Sequence, residues 1–177
     1  VNNASGVATY NVPRFLVSQT PAQLIESLAT VPMIALPGEA YSYSNLMFAY
    51  CAYAAAYTVA PGNSNDLHCT YTTLMQERIF DPIGMVHTTF DFDAAIGDDN
   101  HALPHAFDVV ESDLAVLPID WERFIVPVAP AGASWSTVED MALYLTTHLN
   151  QGVTPNGTAV VSEANLSETQ QAGINIA

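Results

Sequence analysis

Apolar residues recur at helical spacing in several stretches of the chain. Residues 20–23, Thr-Pro-Ala-Gln, form a capping box with proline at the first helical position, and Leu24, Ile25 and Leu28 then fall on one face. This pattern predicts a short amphipathic helix that ends near Ala29.

The stretch from residue 46 to residue 60 has no charged residue, and its apolar side chains lie on all sides of a helix. A helix of this kind is typical of the middle of a core. It is shorter than the roughly 18 to 20 apolar residues that a membrane span needs, and it lacks basic flanks. The sequence therefore predicts a buried helix and no membrane partner.

Three further helices follow from the same signals. One runs from about Thr70 to Phe80 and is stopped by residues 81–84, Asp-Pro-Ile-Gly. Another begins at a second capping box, residues 136–139, with Ser136 as the cap, and ends near Gly152. Residues 162–170 predict one more short helix, whereas residues 90–130 are acidic, broken by prolines and without sustained period, which indicates short strands or loops.

Charge excludes several classes of function. The chain has 177 residues with 18 carboxylates and three arginines, so its formal net charge is −15. Such a surface is unsuited to nucleic acid and to anionic membranes. The chain contains no lysine, which removes a P-loop lysine, a Schiff-base lysine and a serine–lysine dyad from its own residues.

Tyr43 and Asn45 lie where a loop enters the apolar helix, with Ser44 or Asn45 as its cap. The positive end of a helix dipole favours negative charge, which suits a tyrosine that relays protons. A carboxamide can both donate to and accept from a substrate amide. By itself a Tyr-x-Asn tripeptide is typical of a core tyrosine beside a cap.

Three blocks in order give this pair a context: PGEAYSYSN at 37–45, ERIFDPIGMVHTTF at 77–90 and PAGASWSTVEDM at 130–141. Together they closely resemble the serine β-lactamase-like hydrolases, the broad family of class C β-lactamases, DD-peptidase-like proteins and related esterases. The resemblance extends from about Pro13 to Gln170.

The resemblance implies that Tyr43 assists proton transfer during acylation and deacylation and that Asn45 contacts the substrate's amide or ester side chain. Gly84 and Gly132 would belong to scaffold turns that require positive φ. The family nucleophile lies in an upstream Ser-x-x-Lys motif, which a chain without lysine cannot contain. A downstream Lys-Thr-Gly or His-x-Gly equivalent is also missing from these residues.

We therefore expect a mostly α chain that forms the central helical portion of an α+β serine β-lactamase-like fold and lacks most of its antiparallel sheet. It would be one incomplete domain over residues 1–177. Its parts would be a helical part at 13–90, an acidic irregular segment at 91–130, and a capped helix with a tail at 131–177. A flanking segment or a partner chain would carry the nucleophile.

Three functions remain open. The first is a segment of a secreted serine hydrolase that acts on amide, lactam or ester bonds of a small-molecule or peptide substrate and is inactive alone. The second is a non-catalytic binding or interaction protein that reuses the scaffold. The third is an acidic, salt-adapted module without a small-molecule site. For the first, an isolated segment without its flanking sheet, an uncovered face of the apolar helix predicts self-association.

The remaining candidates concern modification and cysteine pairing. Sequons begin at Asn3, Asn156 and Asn165 and indicate N-glycosylation in a secreted or extracytoplasmic protein. Cys51 and Cys69 are expected to form one disulfide or none, because antiparallel helices would bring them together.

No cofactor and no metal are expected. His101 and His105 have the i, i+4 spacing of a helical metal pair, but Pro104 breaks the helix between them. The oxygen-rich residues 91–102 fail the EF-hand template, so we interpret them as a solvated acidic loop.

Overall fold

The computed structural model describes residues 3–7, 20–61 and 66–173. In these ranges the chain is mostly helical, with one two-stranded antiparallel hairpin. The α-helices are α1 Pro21–Ser27, α2 Asn45–Val59, α3 Leu67–Met75, α4 Asp81–Ile83, α5 Phe92–Ile96, α6 Val138–Leu149 and α7 Glu163–Thr169. The strands are β1 His105–Asp108 and β2 Asp113–Val116.

The predicted cap of the first helix is confirmed, and of the two caps that the sequence left open for the second, the structure has Ser44. At α1 the Thr20 hydroxyl accepts from the Gln23 N–H at 3.3 Å, and the Gln23 side chain accepts from the Thr20 N–H at 2.9 Å. A 3₁₀ turn, Leu28–Thr30, continues this helix. Helix α2 is capped by Ser44, whose hydroxyl accepts from the Met47 N–H at 3.3 Å.

Helix α3 begins at Leu67, earlier than the predicted Thr70, because the Asp66 side chain caps it by accepting from the Cys69 N–H at 3.0 Å. The chain continues through a π-helical turn, Gln76–Phe80, into α4. Gly84 ends this run in the left-handed region at φ 88°, as the sequence predicts.

The predicted cap of α6 was wrong by one residue. Thr137, not Ser136, is the cap, and its hydroxyl accepts from the Asp140 N–H at 3.2 Å. The Ser136 hydroxyl lies 2.8 Å from the Thr88 hydroxyl, a partner 48 residues away in sequence. Helix α7 is capped by Ser162, within the stretch that predicted it.

Residues 90–130 are more ordered than their sequence pattern indicated. They contain α5, the hairpin with Phe107 opposite Leu114, and 3₁₀ turns over Ile119–Ala131 with a kink at Val128. The short strands were predicted, but the helical turns were not, because prolines at 127 and 130 interrupt any helical period. Gly132 follows at φ 147°, the positive φ that the sequence predicts.

Two clusters of buried side chains form the core. The larger joins α1, α2, α3 and the 3₁₀ segment through Leu24, Leu46, Ala49, Tyr50, Tyr53, Leu67 and Val128. The smaller comprises Phe80, Ile83 and Met85, with Leu143 and Tyr144 of α6 packed against it.

Helix α2 is buried on one face only. Tyr53 is 1% exposed, whereas Tyr57 and Val59 are 44% and 47% exposed. The prediction of a helix inside a core is therefore correct for one face of α2 only. The expected uncovered face is confirmed. Among the described helices, none has both the length and the apolar composition that crossing a bilayer would require.

Candidate functional site at the start of helix α2

The segment that leads into α2 is fixed by residues far away in sequence. The Asn3 side-chain oxygen accepts from the Ser44 N–H at 3.1 Å, and the Asn3 carbonyl accepts from the Ser42 N–H at 2.8 Å. Ser42 and Ser44 are buried, at 8% and 1% exposure. The extended backbone of residues 42–44 is thereby held from one side while its alternate side chains face outward.

Tyr43 is the side chain that this arrangement presents. It is 52% exposed, although its neighbours on either side are buried. Asn45 is half-buried and is the first residue of α2. The structure thus places the phenol and the carboxamide two residues apart at the positive end of the longest helix among the described residues.

Two phenols on the buried face of α2 fix its orientation. The Tyr50 hydroxyl donates to the Leu24 carbonyl of α1 at 2.6 Å, and the Tyr53 hydroxyl donates to the Pro127 carbonyl at 3.0 Å. Burial, and to a lesser extent the neighbouring Tyr71 phenol, raises the pKa of Tyr53 well above its usual range. The Tyr53 phenol therefore stays protonated and serves as a hydrogen-bond donor.

A second polar anchor joins the turn after α4 to the start of α6. The Asp140 carboxylate, 2% exposed, accepts from the Thr88 hydroxyl at 2.7 Å and from the His87 N–H at 2.8 Å. Thr89 and Trp135 pair as an antiparallel bridge beside it. This anchor positions the chain around Ser136 at the start of α6.

The structure does not gather the other sequence-predicted residues around Tyr43. Neither Tyr43 nor Asn45 lines the cavities of about 240, 360 and 300 Å³ that lie between the later elements. Gly132 lines two of these cavities and Gly84 lines none of the three. The pair therefore occupies an open surface at the start of α2.

Of the two outcomes that the sequence left open, one disulfide or none, the structure has none. Cys51 and Cys69 are both free and both exposed. Cys51 lies on the uncovered face of α2, and Cys69 lies in the first turn of α3. Antiparallel neighbours alone do not form a bridge, because the two side chains must also point at each other.

The three sequons differ in their surroundings. Asn156 and Asn165 are exposed, in a turn and in α7, whereas the Asn3 side chain is half-buried and holds Ser44. Asn156 also accepts hydrogen bonds from the Thr154 hydroxyl and the Thr158 N–H. The two exposed asparagines have the more accessible side chains.

The histidines and acidic residues do not assemble into a metal centre within the described ranges. No group of three or more His, Cys, Asp or Glu side chains there is placed to hold a metal ion. His101 and His105 each direct Nδ1 at a nearby backbone carbonyl, of Asp98 and Leu103 respectively.

Comparison with protein families gives a match over nearly the whole chain. The family described as Beta-lactamase matches residues 1–174. The chain belongs to the beta-lactamase family. The resemblance carried by the three sequence blocks is thereby confirmed.

Two solved structures of similar proteins have a fold like that of this chain. The octameric penicillin-binding protein homologue from Pyrococcus abyssi is 18% identical, with a TM-score of 0.69 over 99% of this chain. The D-amino acid amidase from Ochrobactrum anthropi SV3, complexed with L-phenylalanine amide, is 18% identical, with a TM-score of 0.66 over 94% of this chain. Comparison with curated proteins gives no significant match.

This beta-lactamase family chain spans a minority of each solved relative. It covers 38% of the penicillin-binding protein homologue and 45% of the amidase. With its helices and single hairpin, it has a partial beta-lactamase-like fold, as its sequence predicts. The fold is of the serine hydrolase type.

The sequence analysis missed three residues that join distant segments of the chain. Asn3, Tyr53 and Asp140 each bind a partner more than 40 residues away. The only local signal was Asp140 itself, an acidic residue in the first turn of a capped helix, which ordinarily indicates favourable interaction with the dipole. Nothing near Asn3 or Tyr53 in sequence marks their partners.

Proposed function

We propose that this chain forms the helical part of a serine hydrolase that cleaves amide, lactam or ester bonds through an acyl-enzyme, and that it supplies Tyr43 and Asn45 but not the nucleophile. The observation that carries the proposal is the exposure of Tyr43. Its side chain is 52% exposed between two buried serines, on a segment held rigidly by Asn3.

The chemistry assigns one role to each residue. A serine oxygen from a flanking segment or partner chain bonds to the substrate carbonyl carbon, and the bond from that carbon to the leaving nitrogen or oxygen breaks. Tyr43 passes the serine's proton to the leaving group. In deacylation the oxygen of an incoming water bonds to the acyl carbon, the bond from that carbon to the serine oxygen breaks, and the water's proton returns to the serine by the same route. Asn45 orients the substrate through its amide.

Substrate class and location follow as parts of the same proposal. A relative of this fold is a D-amino acid amidase, which supports an amide among the substrates. The exposed sequons at Asn156 and Asn165 support N-glycosylation and hence a secreted or extracytoplasmic location. The net charge of −15 supports a small-molecule or peptide substrate rather than nucleic acid.

The test uses the assembled protein, in which this chain is joined by the segment that carries Ser-x-x-Lys. Tyr43→Phe is expected to lower turnover of an amide or ester substrate by about 10²-fold or more, because it removes a proton relay. Tyr41→Phe is the matched control, since Tyr41 is also exposed, at 38%, and lies two residues earlier.

A covalent β-lactam or fluorophosphonate probe supplies the second measurement. It should label a serine in the assembled protein and none in the isolated chain. An assembled protein that binds substrate but is never labelled, and that loses only about 1 kcal/mol of stability in Tyr43→Phe, would instead be a non-catalytic binding protein.

A further inference from the structure

A cavity of about 300 Å³ lies away from Tyr43, between α3, the turn after α4, residues 129–136 and α6. Its walls are mainly aromatic rings and methionines. They include Tyr71, Met75, Phe80, Phe90, Met141 and Tyr144. This volume and lining are typical of small-molecule sites, which are apolar with a few placed polar groups.

The aromatic walls are held in fixed orientations. The Phe90 ring stacks on Phe80 with centroids 5.8 Å apart and meets Tyr71 edge to face at 5.4 Å. Tyr71 in turn meets Tyr53 edge to face at 6.0 Å. Rings fixed in this way offer both faces and edges to another ring, and such pairs prefer offset-stacked or edge-to-face contact.

The polar side of the cavity has a defined hydrogen-bond direction. Thr88 and Ser136 both line it. The Thr88 hydroxyl donates to the buried Asp140 carboxylate at 2.7 Å, so in its 2.8 Å contact with Ser136 it must accept. The Ser136 proton is therefore directed at Thr88, which is nearer than the Thr137 carbonyl at 3.4 Å.

The Ser136 oxygen therefore keeps a lone pair for a donor, and it lines both this cavity and the neighbouring cavity of about 360 Å³. Ser136 is exposed and so lies at the opening. A ligand that places a donor there would extend a chain of hydrogen bonds that ends on a carboxylate, and such chains strengthen their members. A ligand without a donor would lose this hydrogen bond.

We propose that this cavity binds a single-ring aromatic compound bearing a hydroxyl or amino group, with the ring among Tyr71, Phe90 and Met141 and the donor on the Ser136 oxygen. A cavity of about 150 Å³ is enough for benzene, so one ring with a substituent fits. The site is separate from the proposed hydrolase function, since neither Tyr43 nor Asn45 lines it.

Tyr71 provides a second polar contact. Its hydroxyl makes no hydrogen bond to another residue in the described part of the chain. Burial raises the pKa of this phenol, so it remains a donor for the lone pairs of a ligand hydroxyl. A ligand hydroxyl can donate to Ser136, which an aryl ether cannot do.

The test is calorimetric titration of the chain with p-cresol and with 4-methylanisole, which has the same ring but no donor. We expect saturable binding of one p-cresol and affinity lower by about fivefold or more for the ether, the loss of one hydrogen bond. Ser136→Ala should abolish that preference while keeping the binding of both compounds. Equal affinities in the unsubstituted chain, or no saturable binding, would overturn the proposal.

Blocking variants locate the binding. Met141→Trp fills the cavity and should abolish p-cresol binding. Leu145→Trp is the matched control, one turn further along α6, 57% exposed and outside the cavity lining. If Met141→Trp binds p-cresol as tightly as the unsubstituted chain, the site is elsewhere. Circular dichroism verifies that both variants are folded. The comparison of p-cresol with 4-methylanisole uses the unsubstituted chain, so it does not depend on the folding of any variant.

Discussion

The phenol of Tyr53 donates a hydrogen bond of 3.0 Å to the carbonyl oxygen of Pro127, 74 residues further along the chain. This contact ties the middle of α2 to the 3₁₀ segment whose kink follows at Val128, itself fully buried. Helix α2 carries Tyr43 and Asn45 at its start. The position of the proposed catalytic pair therefore depends on a contact at the opposite side of its helix.

Tyr53→Phe is expected to destabilise the chain by about 1 to 3 kcal/mol, because the Pro127 carbonyl loses its donor inside the protein. Urea denaturation followed by circular dichroism measures the change. Tyr57→Phe is the control, since Tyr57 is on the same helix but 44% exposed, and surface changes usually stay within about 0.5 kcal/mol. Equal effects of the two substitutions would contradict the assigned role.

The same residue predicts a loss of stability in alkali. Burial holds the pKa of Tyr53 far above its usual value in the folded chain, whereas an unfolded tyrosine loses its proton near pH 10. The unfolded state then binds fewer protons, so the free energy of unfolding falls as pH rises above about 10. Below that pH the contribution is complete.

Stability measured from about pH 8 to 11 by urea denaturation checks this dependence. The fall should be shallower in Tyr53→Phe, which has no proton to lose. Burial also raises the pKa of Tyr71. Tyr71 should therefore cause part of the fall in the free energy of unfolding that remains in Tyr53→Phe. An identical pH dependence in the variant and the unsubstituted chain would show that Tyr53 is not sealed from solvent.

Asp140→Ala is expected to cost about 3 kcal/mol, since the His87 N–H and the Thr88 hydroxyl would lose a charged acceptor in a buried position. Asp140→Asn should cost less, about 1 kcal/mol, because an amide oxygen still accepts. Glu139→Ala, one residue earlier and exposed, should cost less than about 1 kcal/mol. Chemical denaturation of the three variants gives the order, and a cost for Glu139→Ala equal to that of Asp140→Ala would be inconsistent with the anchor.

The native chain should contain two reactive thiols. Cys51 and Cys69 are free and exposed, so titration with a thiol reagent under non-reducing conditions should give two equivalents without denaturant. If the thiols react only after reduction, the two cysteines form a disulfide and the prediction of free thiols is wrong. Cys51→Ser and Cys69→Ser should each remove one equivalent.

The uncovered face of α2 predicts concentration-dependent self-association of the isolated chain, because apolar side chains such as Tyr57 and Val59 are exposed there. Sedimentation at high concentration measures it. Tyr57→Glu should weaken the association, whereas Ser167→Glu, on the exposed surface of α7, should not. A monomer at all concentrations would contradict the prediction.

The local sequence was sufficient to predict a contact wherever the two hydrogen-bonded residues lie about one helical turn apart. The caps at Thr20 and Ser44, the stop at Gly84 and the short helix after Ser162 were all predicted, because each bond joins residues three to five positions apart. The three ordered blocks were also sufficient to indicate the family. They depend on residue identity and order, not on packing.

Only the tertiary structure decided which side chains join distant segments of the chain. Serine is at least as good a cap as threonine, yet Thr137 caps α6 while the Ser136 hydroxyl is paired with Thr88. Asn3, Tyr53 and Asp140 likewise obtain their roles from partners brought near by folding. A hydrogen bond between distant residues leaves no period and no local motif, since its geometry exists only once the helices have packed.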